Sequence, residues 1–343
     1  LMKLSIITTI YNAAADLPRL LDSMMAQKSP DLEFFLIDNG CVDNSRSICE
    51  EYAKRDSRFT IFVIKDNVGY IRARNIGIKE VNADYIGFCD SDDYLEIGAY
   101  DRAITKIKET GCDLYITSYR TINGDRAIDN KLPYDCGFYN GEDVKNNILP
   151  LAFGPCKGRG MLHGFMWKEI FCHDLLFVNN LSFEVELKPY EDQLLNVQVI
   201  SLCKTVYVDD NPIYNYVMNP LSITAQLVEH PDYRKEWNRI VSLYESKAKY
   251  TINSVTCCAN ANATLNFVYG LILSIVKSEQ NPRKSLLALI EDDFIQEILS
   301  HTEVRGFFYY VRFCMKHQLY RILFFTMSLA LKVRWLLNNF YDK

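Results

Sequence analysis

Residues 85–93 read Tyr85-Ile86-Gly87-Phe88-Cys89-Asp90-Ser91-Asp92-Asp93, a short apolar run that breaks directly into three carboxylates within four residues. A compact run of this kind suits a strand buried on both faces. The same rhythm runs back to the start of the chain. Leu4 to Ile10 predicts a first strand, and Asp16 can cap a helix with Pro18 in its first turn and Leu17, Leu20, Leu21 and Met24 at helical spacing. Phe34 to Ile37 predicts a second strand ending on Asp38, and Asn44 or Ser45 opens a second helix. Phe59 to Ile64 predicts a third strand and Tyr70 to Val81 a third helix. Strands alternating with helices imply right-handed crossovers, hence an α/β fold with a largely parallel sheet flanked by helices.

In such a sheet ligands gather outside the carboxyl ends of the strands. The polar residues cluster there: Thr8-Thr9-Ile10-Tyr11-Asn12 after the first strand, Asp38-Asn39-Gly40-Cys41-Val42-Asp43 after the second, and Asp90-Ser91-Asp92-Asp93 after the fourth. Three like charges so close repel one another unless something positive sits among them. Mn2+ or Mg2+, held by one or two carboxylates and completed by water and diphosphate oxygens, meets that need and would act as Lewis acid and template. For Asp93 the alternative is a cap on a helix beginning near Glu96. Phosphatases with an aspartyl nucleophile also place Asp-x-Asp after a strand, but they resemble Asp-x-Asp-x-Thr/Val where this chain has Tyr94.

The helix before this loop carries a second signal. Ile71, Asn75 and Ile78 share one face, so an amide lies on the buried stripe and must find partners. Either Asn75 and Arg74 brace the aspartate loop and a nucleotide, or Asn75 bonds a neighbouring strand end. Arg74 leans to the former, because a guanidinium matches a diphosphate.

Composition restricts the partners. With 343 residues, 49% of them hydrophobic, the chain can bury one large core and a second smaller one. Its 38 basic against 43 acidic residues provide no bulk positive charge for a nucleic-acid partner. Eleven cysteines without a Cys-x-x-Cys pair predict reduced, mostly buried thiols and a cytoplasmic protein. Leu4 to Ile10 reads as a strand, not as a leader segment.

Taken in order, Ser5-Ile6-Ile7 through Tyr11-Asn12, Ile37 through Ser45, Ala73-Arg74-Asn75-Ile76-Gly77 and Asp90-Ser91-Asp92-Asp93 resemble the motifs of family 2 glycosyltransferases. The resemblance implies a GT-A nucleotide-diphospho-sugar transferase fold. Its catalytic domain would span residues 1–228, with a nucleotide-binding half over 1–120 and an acceptor half over 121–228. By the same likeness Thr9, Tyr11, Asp38, Asn39, Arg74, Asn75, Asp90 and Ser91 bind the nucleotide, and Tyr11 stacks on the base. Asp90 and Asp92 form the Asp-x-Asp pair at the metal. The carbonyl of Asn39, where many relatives carry Asp, can accept from a uracil or thymine imide, which favours a UDP- or dTDP-sugar donor.

Later stretches extend the likeness. Phe165 to Phe171 resembles the family's Trp-containing helix start, where Trp167 either stacks on the acceptor or fills core. Gly154, Gly158, Gly160 and Gly164 before it suit a loop that moves over substrate or an ordinary surface loop. Tyr190-Glu191-Asp192-Gln193 resembles the Glu-Asp motif beside the acceptor. Transfer to an alcohol needs a general base, and the resemblance assigns that role to Asp192, with Glu191 on the acceptor side. Without the likeness, both would simply be acids at a helix N-terminus. Val206 to Val208 and Ile213 to Tyr216 resemble closing strands, followed by Ser222 to Thr224. Met218-Asn219 stands where relatives often have Arg.

Residues 229–343 read as a helical region. Between Glu303 and Asp342 there is no acidic residue, against six Lys or Arg, with aromatic bulk at Phe307 to Tyr310, Phe324, Phe325 and Trp335. Such a segment suits an anionic membrane surface at the inner face of the cell membrane, or packing on the catalytic domain or a partner. The expected activity is therefore an inverting transfer from a nucleotide sugar to a glycan or lipid-linked acceptor in surface polysaccharide assembly. The alternatives are a sugar nucleotidyltransferase, or a non-catalytic glycan-binding or scaffolding protein on the same fold.

Overall fold

The computed structural model describes residues 2–156, 164–219, 233–278, 282–302, 306–317, 319 and 321–327. Contacts divide the chain into two compact units, Leu1–Ala152 with Leu162–Met218 and Phe153–Met161 with Asn219–Lys343.

The first unit opens as the alternation predicts: β1 (Leu4–Ile10), α1 (Leu17–Met25), β2 (Leu32–Asn39), α2 (Ser45–Arg55), β3 (Phe59–Ile64), α3 (Tyr70–Glu80) and β4 (Tyr85–Phe88). Short elements follow as β5 (Tyr94–Leu95), α4 (Ala99–Thr110), β6 (Leu114–Asn123), β7 (Arg126–Asn130), β8 (Gly137–Asn140), α5 (Gly141–Asp143) and α6 (Leu149–Phe153). The unit closes with β9 (Glu169–Cys172), α7 (His173–Val178), α8 (Glu191–Leu202) and β10 (Thr205–Val217).

One sheet runs β3-β2-β1-β4-β9-β6-β10-β5, with β7 on β6 and β8 on β10. The strands β3, β2, β1 and β4 are parallel, as are β6 and β10, whereas β9 enters antiparallel between β4 and β6. The expected parallel sheet is thus confined to its first four strands and one later pair, and the whole is mixed. One face packs Leu20, Leu21 and Met24 of α1 with Tyr100 and Ile104 of α4 over Leu4, Ile6 and Phe34.

Three boundaries differ from expectation. β2 continues through Asp38 and Asn39, which pair with Val63 and Ile64 of β3, so both side chains begin inside the sheet. The helix expected near Glu96 starts at Ala99 behind a left-handed Gly98, because Tyr94 and Leu95 are drawn into β5 against β10. Residues 165–171 form a 3-10 turn at Met166–Lys168 and then strand β9, not a helix start; Ile170 and Phe171 pair with β4 and β6. Tertiary pairing overrides local likeness here.

The second unit is helical: α9 (Tyr233–Ala248), α10 (Ser254–Ser278), α11 (Pro282–Ile290), α12 (Asp293–His301) and α13 (Gly306–Lys316). Tyr244, Ala261 and Ile298 form one of its cores, with Phe294 packed on it. Lys247 is fully buried there; its Nζ donates to the Phe153 carbonyl at 2.6 Å, and burial lowers its pKa to about 7. Among the described residues α10 is the one helix long and apolar enough to cross a membrane, and 61% of that stretch is buried inside the protein. None of the eleven cysteines forms a disulfide, and Cys136 alone among them is exposed.

Candidate active site

The Asp90-Ser91-Asp92-Asp93 loop leaves β4 at the carboxyl end of the parallel strands. Asp93 turns inward: its Oδ2 accepts from the Tyr214 hydroxyl at 2.6 Å and its Oδ1 from Val217 N–H at 2.7 Å. The same hydroxyl accepts from Asp90 N–H at 3.0 Å, so Tyr214 pins the loop from β10. Asp93 is therefore neither a helix cap nor open to a ligand. Burial, followed by repulsion from Asp90 and Asp92, pushes its pKa up to about 8. Burial and Asp90 likewise push Asp92 up to about 6. Arg19 approaches from α1, donating to the Asp92 carbonyl at 2.5 Å with its guanidinium over the Tyr94 ring.

Arg74 of α3 joins this loop to α8. Its Nη2 lies 2.5 Å from Asp90 Oδ1 and its Nη1 3.2 Å from Asp192 Oδ1. The guanidinium is almost wholly buried, yet Asp90, Asp192 and Glu191 hold it charged against the pull of desolvation. Asp192 sits in the first turn of α8. Burial raises its pKa, Arg74 opposes, and Glu191 and Asp90 add to the rise, leaving it at about 7. Glu191 is buried beside it; one carboxylate oxygen accepts from the Tyr70 hydroxyl at 2.6 Å and the other has no hydrogen-bond partner. Tyr70 in turn lies under the cations of Arg74 and Lys188. Two motifs that the sequence keeps apart are thus brought onto one guanidinium.

The remaining candidates fall into two groups. Thr9 is half-buried at the end of β1, and Tyr11 just beyond it is 48% exposed, free to present its ring. Ser91 is half-buried on the loop. Asp38, by contrast, accepts from Cys41 N–H at 2.9 Å and from the Arg46 side chain; burial raises its pKa, but these hydrogen bonds hold it below the usual value. Asn39 donates to Asn67 at 3.1 Å and accepts from Val68 N–H at 3.0 Å, so its side chain braces the β3–α3 turn. Asn75 exchanges both of its amide bonds with the Phe183 backbone, at 2.9 and 2.8 Å. The structure therefore brings Asn75 to the loop before α8 and not to the strand edge.

Trp167 is 4% exposed and stacks on Tyr214 at 4.3 Å and on Phe165 at 5.1 Å. It fills core, as the alternative reading had it, and offers no open face to a sugar. Sequence reasoning missed Arg19, Arg46, Tyr70 and Tyr214. Tyr214 touches Asp93 across 121 positions and left no local signal. Arg46, in the first turn of the helix after Asp38, could have been found from helical geometry. Gly158, Gly160, Ser222 and Thr224 lie outside the described residues, as do Lys332, Arg334 and Trp335.

The sequence model of glycosyl transferase family 2 matches residues 5–162. The uncharacterized glycosyltransferase EpsJ of Bacillus subtilis is 24% identical over 87% of this chain and 86% of its own length. A poly(ribitol-phosphate) beta-glucosyltransferase of Bacillus spizizenii is 27% identical over 63% of this chain and 32% of its own length. Among solved structures, residues 1–349 of TarS of S. aureus in complex with UDP-GlcNAc superimpose with a TM-score of 0.73 at 19% identity, over 96% of this chain and 92% of that one. Four ordered motifs and these matches agree: residues 5–162 carry the sequence pattern of glycosyl transferase family 2, on a GT-A fold.

Proposed function

We propose that the protein is an inverting glycosyltransferase that moves a sugar from a UDP- or dTDP-sugar to a hydroxyl of a glycan or lipid-linked acceptor in surface polysaccharide assembly. One observation carries the reading: Arg74 ties the carboxylate loop, through Asp90, to a second and separate carboxylate, Asp192. A single base opposite a leaving diphosphate is what one-step inverting transfer requires. Asp192 takes the proton of the acceptor hydroxyl as its oxygen bonds to the anomeric carbon. The bond from that carbon to the diphosphate oxygen breaks, and the nucleoside diphosphate departs with the electron pair.

Thr9, Tyr11 and Ser91 contact the nucleotide, and Tyr11 stacks on the base. Asp38 and Asn39 act one layer behind, holding the turns that shape the pocket. Glu191 and Tyr70 orient the first turn of α8 on the acceptor side. Asp90 and Asp92 would hold Mn2+ or Mg2+. Their fit rests on electrostatics, since Asp92 and Asp93 are both raised by burial and by neighbouring carboxylates, a strain that a divalent cation relieves. The described residues contain no group of three or more metal-ligating side chains, so diphosphate oxygens would have to complete the shell. Once bound, such a cation neutralises charge on the leaving diphosphate.

The donor class is supported by the UDP-GlcNAc complex of TarS, and a polymeric surface acceptor by the poly(ribitol-phosphate) relative. Thermal-shift measurements with nucleoside diphosphates and nucleotide sugars, with and without Mn2+, test the reading. Stabilisation by one uridine or thymidine ligand only with metal supports it; no stabilisation by any nucleotide sinks it in favour of a non-catalytic protein on this fold.

A location at the inner membrane face belongs to the same reading. Tyr309 and Phe313 on α13, with Ile322 and Phe325 beyond it, are exposed next to Lys316 and Arg321. Replacing Phe313 and Phe325 by Asp is expected to abolish sedimentation with phosphatidylglycerol vesicles; unchanged sedimentation would remove the membrane from the account.

A further inference from the structure

Three buried polar side chains meet where β9 packs against α8. Lys168 and Glu169 follow one another as the 3-10 turn at Met166–Lys168 passes into β9, and they are 1% and 0% exposed. Lys168 Nζ lies 3.0 Å from Glu169 Oε1, and Asn196 Nδ2 of α8 donates to Glu169 Oε2 at 2.5 Å. Each oxygen of the Glu169 carboxylate is thus engaged, one by a cation and the other by the helix. Its backbone is fixed as well, since Glu169 pairs with Ile116 of β6.

Asn196 stands four residues after Asp192, so the two side chains share one face of α8, a turn apart. The chain entering the turn runs close to that helix. A Cβ on Gly164 would stand 2.7 Å from the Cα of Gln193, and the Met166 N–H favours the ionised form of Asp192. Charge links the two ends. Burial lowers the Lys168 pKa, whereas Glu169 and then Asp192 favour its protonated form. A buried ion pair is a weak stabiliser, because desolvation offsets its attraction, and packed apolar side chains would serve stability as well. What the pair adds is a cation at a fixed point and a hydrogen bond of set direction, both delivered to the helix that carries Asp192.

We propose that Lys168 is a positioning residue for Asp192: held by Glu169 and tied to α8 through Asn196, it supplies a second buried cation behind the base. The inference rests on the reading of Asp192 as that base. The groups facing Asp192 are Arg74 and Tyr70 from α3, Glu191 from its own helix, Asp90 from the loop and Lys168 from the turn before β9. Arg74 is shared with Asp90, so its pull is divided. With Lys168 included, two cations balance the two neighbouring carboxylates, which keeps the base able to accept a proton near neutral pH.

The test compares thermal melts of the full chain with Lys168→Met placed in the wild type and in the Asp192→Asn background. At pH 8, where Asp192 is ionised, the substitution should lower Tm by about 2–4 °C more in the wild type than in that background. At pH 5.5, below the Asp192 pKa of about 7, the difference should vanish. An equal loss in both backgrounds at pH 8, or a difference that persists at pH 5.5, overturns the proposal, since packing alone would behave in that way. Lys168→Met leaves Glu169 without its cation, so the cycle is repeated with Lys168→Gln, which can still donate to Glu169 but carries no charge; the same outcomes decide. In release of UDP from UDP-GlcNAc with Mn2+, Lys168→Gln should lower kcat about tenfold and leave KM unchanged. A raised KM with unchanged kcat overturns the positioning role. UDP-dependent stabilisation of the wild type, recorded with Mn2+, separates the two failures: its absence counts against the transferase reading, while the melts still decide whether Lys168 acts on Asp192.

Discussion

Arg74 Nη1 lies 3.2 Å from Asp192 Oδ1, a contact between the third helix and the first turn of α8, and the same guanidinium reaches Asp90 at 2.5 Å. A planar fork with donors on both edges can hold two carboxylates at once, which an ammonium on a flexible stem does poorly. The arrangement sets the distance between the carboxylate loop and the first turn of α8. It also leaves Asp192 with a pKa in the range where a general base is effective.

Asp192→Asn is expected to leave nucleotide binding nearly intact and to lower turnover by about 10²–10⁴-fold, the usual worth of a general base. Turnover within a few-fold of wild type would remove Asp192 from that role.

The pH profile of kcat/KM reports groups of the free enzyme. With Asp192 at about 7, activity should fall on the acid side through an inflection near that value. Arg74 is what opposes the rise, so Arg74→Met should move the inflection to higher pH, while Arg74→Lys should restore charge but not the two-sided geometry. An inflection that stays in place in Arg74→Met would show that the guanidinium does not govern the base.

Asp92 and Asp93 have folded-state pKa values of about 6 and about 8, above the model-compound value of 3.8. Between the unfolded and folded values the native chain holds protons that the unfolded chain has lost, so stability falls as pH rises through that window. Without metal the melting temperature of the first unit should therefore decline from pH 5 towards pH 8. Mn2+ with UDP should flatten the slope. A metal-independent slope of the same size would argue that the loop does not take a cation.

Gly77 lets α3 lie close on the sheet. A Cβ there would stand 2.7 Å from Ile7 Cγ2 and 2.8 Å from Ile37 Cδ1. Gly77→Ala should cost about 1–3 kcal/mol through overpacking, read by chemical denaturation. Because α3 carries Arg74, the same variant should weaken turnover more than its stability loss explains. A neutral effect on both would mean that the sheet yields freely at this point.

The alternation of strands and helices, and the polar residues at the strand ends, were legible because both follow local rules: apolar period, capping and the burial of parallel strands. Asp192 was singled out only through its motif, since a carboxylate at a helix start has an ordinary local explanation. The partners of Asp38 and Asn39 were not legible because a strand end cannot be located to within two residues from composition. Once β2 extends through them, their polar atoms must be satisfied by Cys41, Arg46, Asn67 and Val68. Sequence left the two readings of Trp167 open for a similar reason: a strand paired between β4 and β6 replaced the expected helix start.

By itself, then, the sequence determined which residues could form buried strands, where carboxylates would gather, and which family's ordered motifs they match. These are properties of neighbours along the chain, set by backbone geometry and side-chain polarity. Only the tertiary structure decided that Arg74 would join Asp90 to Asp192, that Tyr214 would pin the loop through Asp93, and that Trp167 would be buried on the Tyr214 ring. Those relationships depend on strand order and on the insertion of β9. Both are chosen by burial and pairing summed over the whole sheet, which no local window contains.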